Sequence, residues 1–219
     1  NNNCWMGGIM KHNVWPLFSS PLFSIETGLK KNELKTLETN LKKEKTVHSP
    51  INKMSENPKQ NNFHTGLEGI LQKEEYENLK DVVIKSIRFI NDNYFKYKTN
   101  FIISKSWVGY APSKSSCSVH RHENCFLSGV VYLKAKENCG DIEFENFNRR
   151  DISVEPTHDN TIYNVERFWV KPTPGLLLLF PSNMYHKIHE NNSNEDRISV
   201  SFDVMPTSFL NRYIKNNEA

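Results

Sequence analysis

The chain holds no apolar run longer than the five residues Leu176–Phe180. That is far short of the about 20 residues a helix needs to cross a bilayer, so no membrane-spanning segment is expected. Cysteine is scarce: Cys4, Cys117, Cys125 and Cys139 form no CxxC pair and no zinc spacing. This fits free thiols in a reducing compartment better than a disulfide framework. An excess of one charge is also missing, because 28 Lys and Arg stand against 25 Asp and Glu for a net charge of +3. The lysines are diluted by glutamates instead of lining one stripe, so no nucleic-acid partner is implied. The first residues, NNNCWMGGIM, lack the basic start and apolar stretch of a secretory signal. Residues 1–9 read as a remnant ahead of Met10, and the expected location is cytoplasmic, away from membranes. No internal repeat is visible, and 219 residues suit one sizeable core better than two full domains.

What is present divides near Asn100. Before it, VWPLFSSPLFSIE carries aromatic and β-branched residues cut by two prolines, which predicts an edge strand entering the fold. From Gly28 to about Asn62 the chain is rich in Lys, Asn, Glu and Thr, with Leu29, Leu34, Leu37 and Leu41 on one narrow helical face, a pattern expected of a surface helix and loop. From Lys73 to about Asn93 the apolar positions Leu79, Val82, Val83, Ile84, Ile87, Phe89 and Ile90 approach the helical period, and Glu74, Glu75 and Glu77 suit a helix N-terminus. After Asn100 the helical period is lost. Candidate strands are FIISKSWVGYA, CSVHRHE, LSGVVYLKA, DIEFEN, TIYNVERFWVK, LLLLF, KIHE and RISVSFDVM, separated by turn residues, which favours a sandwich or barrel. Residues 1–100 are expected to pack as strand and helical segments on a β core formed by residues 101–219, without being an independent domain.

His120 and His122 open the chemical question. Two apart on an extended strand, they point the same way and can converge on one ion. Alone, an HxH pair is more often a polar patch than a metal site. Its context is LLLLFPSNMYHKIHENNSNEDRISVSFDV, where an apolar strand ends at Pro181, His186 follows, and a second strand begins at Arg197. Taken in order, the pieces are His120-Arg121-His122-Glu123-Asn124, Ser128-Gly129-Val130-Val131-Tyr132-Leu133, Gly140-Asp141-Ile142-Glu143-Phe144, Pro174-Gly175, Leu177 to Ser182, His186, and Arg197 to Phe202. This series resembles the 2-oxoglutarate- and Fe(II)-dependent oxygenases, specifically a set whose pattern runs HxHxN, SGVYYL, a Gly-containing strand, PG, LLLFPS, H and RISISF. The resemblance covers about Phe101 to Met205, roughly half the chain, and WPLFSSPLF looks like the opening strand of the same set.

The resemblance implies a mainly β fold, a double-stranded β-helix (a cupin-like jelly roll) flanked by N-terminal helices. It implies an Fe(II) ion near one open end, 2-oxoglutarate as cosubstrate and O2 as oxidant. Iron sites of this kind use three protein ligands on one face and leave the remaining positions open. His120, His122 and His186 are the expected ligands. His122 stands where the family usually has Asp or Glu, and Glu123 is the rival third ligand. Its side chain would leave the opposite side of the strand, so period-2 geometry favours His122. His189, three residues beyond His186, reads as a rim residue.

Arg197 stands where the family places the cation for the distal carboxylate of 2-oxoglutarate, and a guanidinium offers that carboxylate a planar fork. Ser199 shares its face. Tyr132 matches a tyrosine that related prolyl hydroxylases use for the same carboxylate, and Tyr110 one near the cosubstrate's other end. Without the family, Arg197 reads as a salt-bridge partner of the preceding Asn194-Glu195-Asp196. Asn124 is a candidate to orient a metal ligand, or else to cap a turn. Asn146 to Arg167, with Arg149, Arg150 and His158, is expected to form a substrate lid.

The implied activity is hydroxylation of a C–H bond in a protein side chain or small metabolite, coupled to decarboxylation of 2-oxoglutarate to succinate. A three-histidine cupin-type dioxygenase that does not use 2-oxoglutarate and a non-catalytic jelly-roll binding module are the competing readings. The substrate and the oligomeric state, a homodimer included, are left open.

Overall fold

The computed structural model describes residues 19–44, 47–48, 63–64, 69–146 and 161–210. Each of the eight candidate segments after Asn100 contains a strand. In chain order the elements are β1 (Phe23–Glu26), α1 (Lys31–Leu41), β2 (Val47–His48), β3 (Phe63–His64), α2 (Glu77–Ile90), β4 (Phe101–Ala111), β5 (Cys117–His120), β6 (Leu127–Lys134), β7 (Ile142–Glu145), β8 (Arg167–Val170), β9 (Leu176–Pro181), β10 (Tyr185–Ile188) and β11 (Arg197–Pro206).

The strands form two antiparallel sheets, a seven-stranded one in the order β1-β9-β6-β11-β4-β3-β2 and a four-stranded one in the order β5-β10-β7-β8. Facing each other, they make a double-stranded β-helix. The large sheet is buried on both faces, which explains why Leu176–Phe180 is apolar without alternation. Leu176, Leu178 and Phe180 point inward and pack with Val130, Tyr132, Ile142, Phe144 and Met184 between the sheets. Leu177 and Leu179 point outward, with Val131, Ile198, Val200 and Phe202, against the helices.

Leu37 and Leu41 of α1 and Leu79, Val83, Ile87 and Ile90 of α2 cover that outer face. Spacings of three and four put each set on one helical stripe, and each buried aliphatic contributes about 1.5–3 kcal/mol. The α1 segment, expected at the surface, thus buries its leucine face while Lys31, Asn32 and Lys35 stay in water. The second helix starts later than the sequence suggested: Glu74–Tyr76 make a 3-10 turn, and Asn91–Phe95 continue it as a π turn that Lys96 ends at φ 56°. The opening strand is only Phe23–Glu26 and does lie at a sheet edge, paired with β9. Among the described residues no helix is long and apolar enough to cross a membrane.

Gly129 shows how tightly the large sheet is filled. A Cβ there would press into the buried Phe202 ring and lie 2.8 Å from the Leu178 carbonyl oxygen. Gly129→Ala is therefore expected to destabilise the fold by about 1–3 kcal/mol. The effect is read as a lower denaturant midpoint with unchanged slope; a native midpoint would mean that Phe202 has another position open to it.

Candidate active site

β11 alternates strictly: Ile198, Val200, Phe202 and Val204 pack outward in the helix-side core. Period 2 then sends Arg197, Ser199, Ser201 and Asp203 inward, and the first three of these line a cavity of about 130 Å³ between the sheets. Register pairs Ser199 with Gly109 and Ser201 with Trp107 of β4. His120 ends β5 directly across from His186 of β10, and His186 in turn faces Phe144 of β7. His122 lies just past β5, its backbone N–H donating to Ser182 O at 2.9 Å. One ring nitrogen from each of His120, His122 and His186 lies within 4.8 Å of the other two.

Hydrogen bonding fixes which nitrogen each ring offers. His120 Nδ1 is 2.8 Å from Ser118 O and His186 Nδ1 is 3.0 Å from Met184 O. A carbonyl only accepts, so both Nδ1 atoms carry the proton. His122 Nδ1 is 2.7 Å from Asp203 Oδ1, a carboxylate that also accepts from Ser128 Oγ at 2.8 Å. All three Nε2 lone pairs are thereby left for an ion. Burial keeps His120 and His186 neutral and competent as ligands: it pushes His120 down to about 4, and it holds His186 well below its ordinary value with help from the neighbouring rings. Trp107 stacks on His122 with ring centres 5.5 Å apart, and Phe180 packs on His186 at 5.0 Å. These aromatic walls hold the imidazoles in place and exclude water.

At the other end of the cavity Arg197, 4% exposed, donates from Nη1 to Cys139 O at 3.2 Å and Gly140 O at 3.0 Å. Its Nε is buried with no partner among the described residues. A buried cation with a spare donor calls for an anion. Tyr132, buried beside it, is pushed up to about 12 by burial despite the Arg197 charge, so its hydroxyl is neutral and able to donate. Burial likewise pushes the Cys117 thiol up to about 11, leaving it uncharged on the cavity wall. The residues thus suit both groups the sequence implied: three convergent imidazole lone pairs for ferrous iron, and an under-bonded guanidinium for a carboxylate.

The structure places the remaining sequence candidates as follows. Tyr110 lines the cavity, but its hydroxyl turns to the helix side and donates to the Leu41 carbonyl, so that hydroxyl is already engaged. Asn124 is exposed in a left-handed turn at φ 59°, and Asp203 takes the orienting position instead. Glu123, its side chain 72% exposed, pairs with Arg121 at 3.6 Å outside the cluster. His189 lies beyond β10 and contacts Glu143 Oε2 at 2.6 Å. Glu195 pairs with Lys134 and Lys136, leaving Arg197 to the cavity. Arg149, Arg150 and His158 of the expected lid lie outside the described residues. Sequence reasoning missed Trp107, Cys117, Ser201 and Asp203. Extending the period-2 reading of Arg197 and Ser199 along the same strand reaches Ser201 and Asp203.

A double-stranded β-helix whose cavity is lined by three converging histidines and a buried arginine suits a non-haem metal centre beside an anion site. Residues 105–203 match the family described as "Putative 2OG-Fe(II) oxygenase". The matched segment, which carries the barrel, is thus similar to the 2-oxoglutarate- and Fe(II)-dependent oxygenases, oxidoreductases that act with Fe(II), 2-oxoglutarate and dioxygen. Among solved structures, a Pseudomonas putida prolyl-4-hydroxylase is 13% identical with a TM-score of 0.59, over 83% of this chain and 91% of that one. The non-haem alpha-ketoglutarate-dependent epimerase SnoN of nogalamycin biosynthesis is 14% identical with a TM-score of 0.64, over 85% and 79%. HygX from Streptomyces hygroscopicus, solved with nickel, 2-oxoglutarate and hygromycin B, is 11% identical with a TM-score of 0.58, over 86% and 84%. At such identities the likeness carries the fold. No curated protein matches the chain in sequence.

Proposed function

We propose that the enzyme hydroxylates a C–H bond of a protein side chain or small metabolite, with His120, His122 and His186 holding Fe(II) through Nε2 and with Arg197, Ser199 and Tyr132 holding the distal carboxylate of 2-oxoglutarate. The observation that carries this reading is the buried Arg197 Nε without a partner among the described residues, on the wall of a cavity that the three imidazoles also line. When bound, iron, 2-oxoglutarate and dioxygen supply the oxidation: the 2-oxo acid leaves as succinate and carbon dioxide, one oxygen atom entering succinate and the other the substrate.

The chain's own part is positional. Arg197 binds one end of the diacid through charge and a planar fork, and the neutral Tyr132 hydroxyl donates beside it. That orientation sends the 2-oxo acid end along the cavity toward the histidines. Trp107, Phe144 and Phe180 close the walls around them and exclude bulk water. The free thiols of Cys117, Cys125 and Cys139 suit a reducing, cytoplasmic setting.

The three-imidazole donor set also favours a second reading, a cupin-type dioxygenase that needs no 2-oxoglutarate. Titrating 2-oxoglutarate into the anaerobic Fe(II) protein separates the two. The expected result is a saturable visible charge-transfer band and, on admitting oxygen, succinate. Iron bound with neither band nor succinate selects the second reading.

A further inference from the structure

Two of the three histidines fasten Nδ1 to backbone carbonyls, whereas His122 fastens it to a carboxylate. Asp203 is 3% exposed and stands on the inward face of β11. Its Oδ1 accepts both the His122 N–H at 2.7 Å and the Ser128 hydroxyl at 2.8 Å. A buried carboxylate is costly unless its charge is used by partners. Here the partners are a neutral hydroxyl and a ring whose opposite nitrogen faces the candidate iron position. The donor set itself is unusual, because three imidazoles bring no negative charge to a ferrous ion, while the common two-histidine, one-carboxylate arrangement does.

We propose that Asp203 is the carboxylate of this site, acting on iron through His122 instead of binding it. It locks the His122 tautomer and ring orientation, and the hydrogen bond makes Nε2 a stronger electron donor. The negative charge that a ligating Asp or Glu would bring at position 122 is held one imidazole further out, at position 203. Ser128 is a positioning residue for Asp203, fixing its Oδ1 on the His122 side. The assignment rests on the iron reading proposed above.

The test is anaerobic Fe(II) titration of the full chain as purified apoprotein, with the energy of the charge-transfer band in the presence of 2-oxoglutarate as a second readout. Asp203→Asn keeps the shape and removes the charge. It is expected to weaken Fe(II) binding about 10- to 100-fold. It should also move the band to higher energy, because a poorer donor leaves less electron density on the metal. A merely structural role would not move that band. Ser128→Ala keeps the charge and loosens its hold, so it should shift both readouts in the same direction by less, and it carries the test if circular dichroism shows Asp203→Asn unfolded. Folded variants with native affinity and band overturn the role of Asp203. A native protein that takes up no Fe(II) overturns the iron reading itself, and the role of Asp203 falls with it.

Discussion

His186→Ala is expected to purify folded, take up no ferrous iron and give no turnover. His186 is the innermost of the three rings at 4% exposure, wedged between Phe144 and Phe180 and directly opposite His120 across the β5–β10 pair. Two imidazoles on adjacent segments cannot hold three positions of one face, so its loss removes the site's distal anchor. The structural cost is small by comparison. The Met184 carbonyl loses one donor, about 1–3 kcal/mol, against the 5–15 kcal/mol that stabilises a typical fold. Metal analysis after anaerobic loading, beside a circular dichroism melt, checks both halves. His189→Ala is the internal control: that ring is engaged with Glu143, and its loss should leave iron content unchanged. A metal-replete His186→Ala protein would mean that the distal ligand is another residue.

The contrast between His186 and His189 shows what the sequence could reveal. Distances along the chain brought out His186, but the strand was expected at Lys187–Glu190. The observed β10, Tyr185–Ile188, is set by pairing with both β5 and β7, information that belongs to the neighbours and not to the segment. The same holds for β8. Thr161 to Asn164 are β-formers in composition, yet the Thr161 backbone N–H donates to Asn164 Oδ1 at 2.6 Å and closes a turn, so the strand begins only at Arg167. Long elements with an unambiguous period were legible: Phe101–Ala111 is a strand over its whole expected length, and Leu79, Val83, Ile87 and Ile90 of α2 are buried, whereas Phe89, which falls off that stripe, is 54% exposed.

Site residues divide in the same way. Those that a strand's period assigns to a face, Arg197 and Ser199, fall in the cavity. Tyr110, matched by the resemblance to a tyrosine near the cosubstrate's other end, lines the cavity with its hydroxyl turned away. On β4 it shares the outward side with Val108, opposite Trp107 and Gly109, and that side packs on α1. Asp203 escaped notice because it contacts His122 across 81 positions of sequence, a pairing that no local pattern signals. The departure of His122 from the usual carboxylate was plain in the sequence, but the nearby carboxylate became visible only when β11 was laid beside β6.

Arg197→Ala should raise the 2-oxoglutarate requirement by one to two orders of magnitude while leaving Fe(II) binding in the absence of cosubstrate unchanged. A charge-assisted hydrogen bond to a carboxylate is worth about 1.5–3 kcal/mol, which is that factor in a dissociation constant. The substitution also has a structural cost, because Nη1 holds the carbonyls of Cys139 and Gly140. Gly140 sits at φ 89° with no room for a Cβ beside the His189 carbonyl, so this turn has little freedom to find new donors. Loss of the arginine should therefore lower the melting temperature by several degrees, at about 2–4 °C per kcal/mol for a chain of this size. Arg197→Lys separates the two effects. It keeps the positive charge and loses the fork, so the 2-oxoglutarate requirement should fall between those of the native protein and Arg197→Ala, whereas the turn loses its paired contacts in both variants. The informative measurement is the KM for 2-oxoglutarate at saturating iron, compared with kcat and with the melting temperature. A variant that melts lower but keeps its native KM would make Arg197 a tether for the Cys139–Gly140 turn and move the carboxylate site elsewhere in the cavity. A raised KM in both variants, graded by charge, identifies the guanidinium as the group that selects a dicarboxylic cosubstrate.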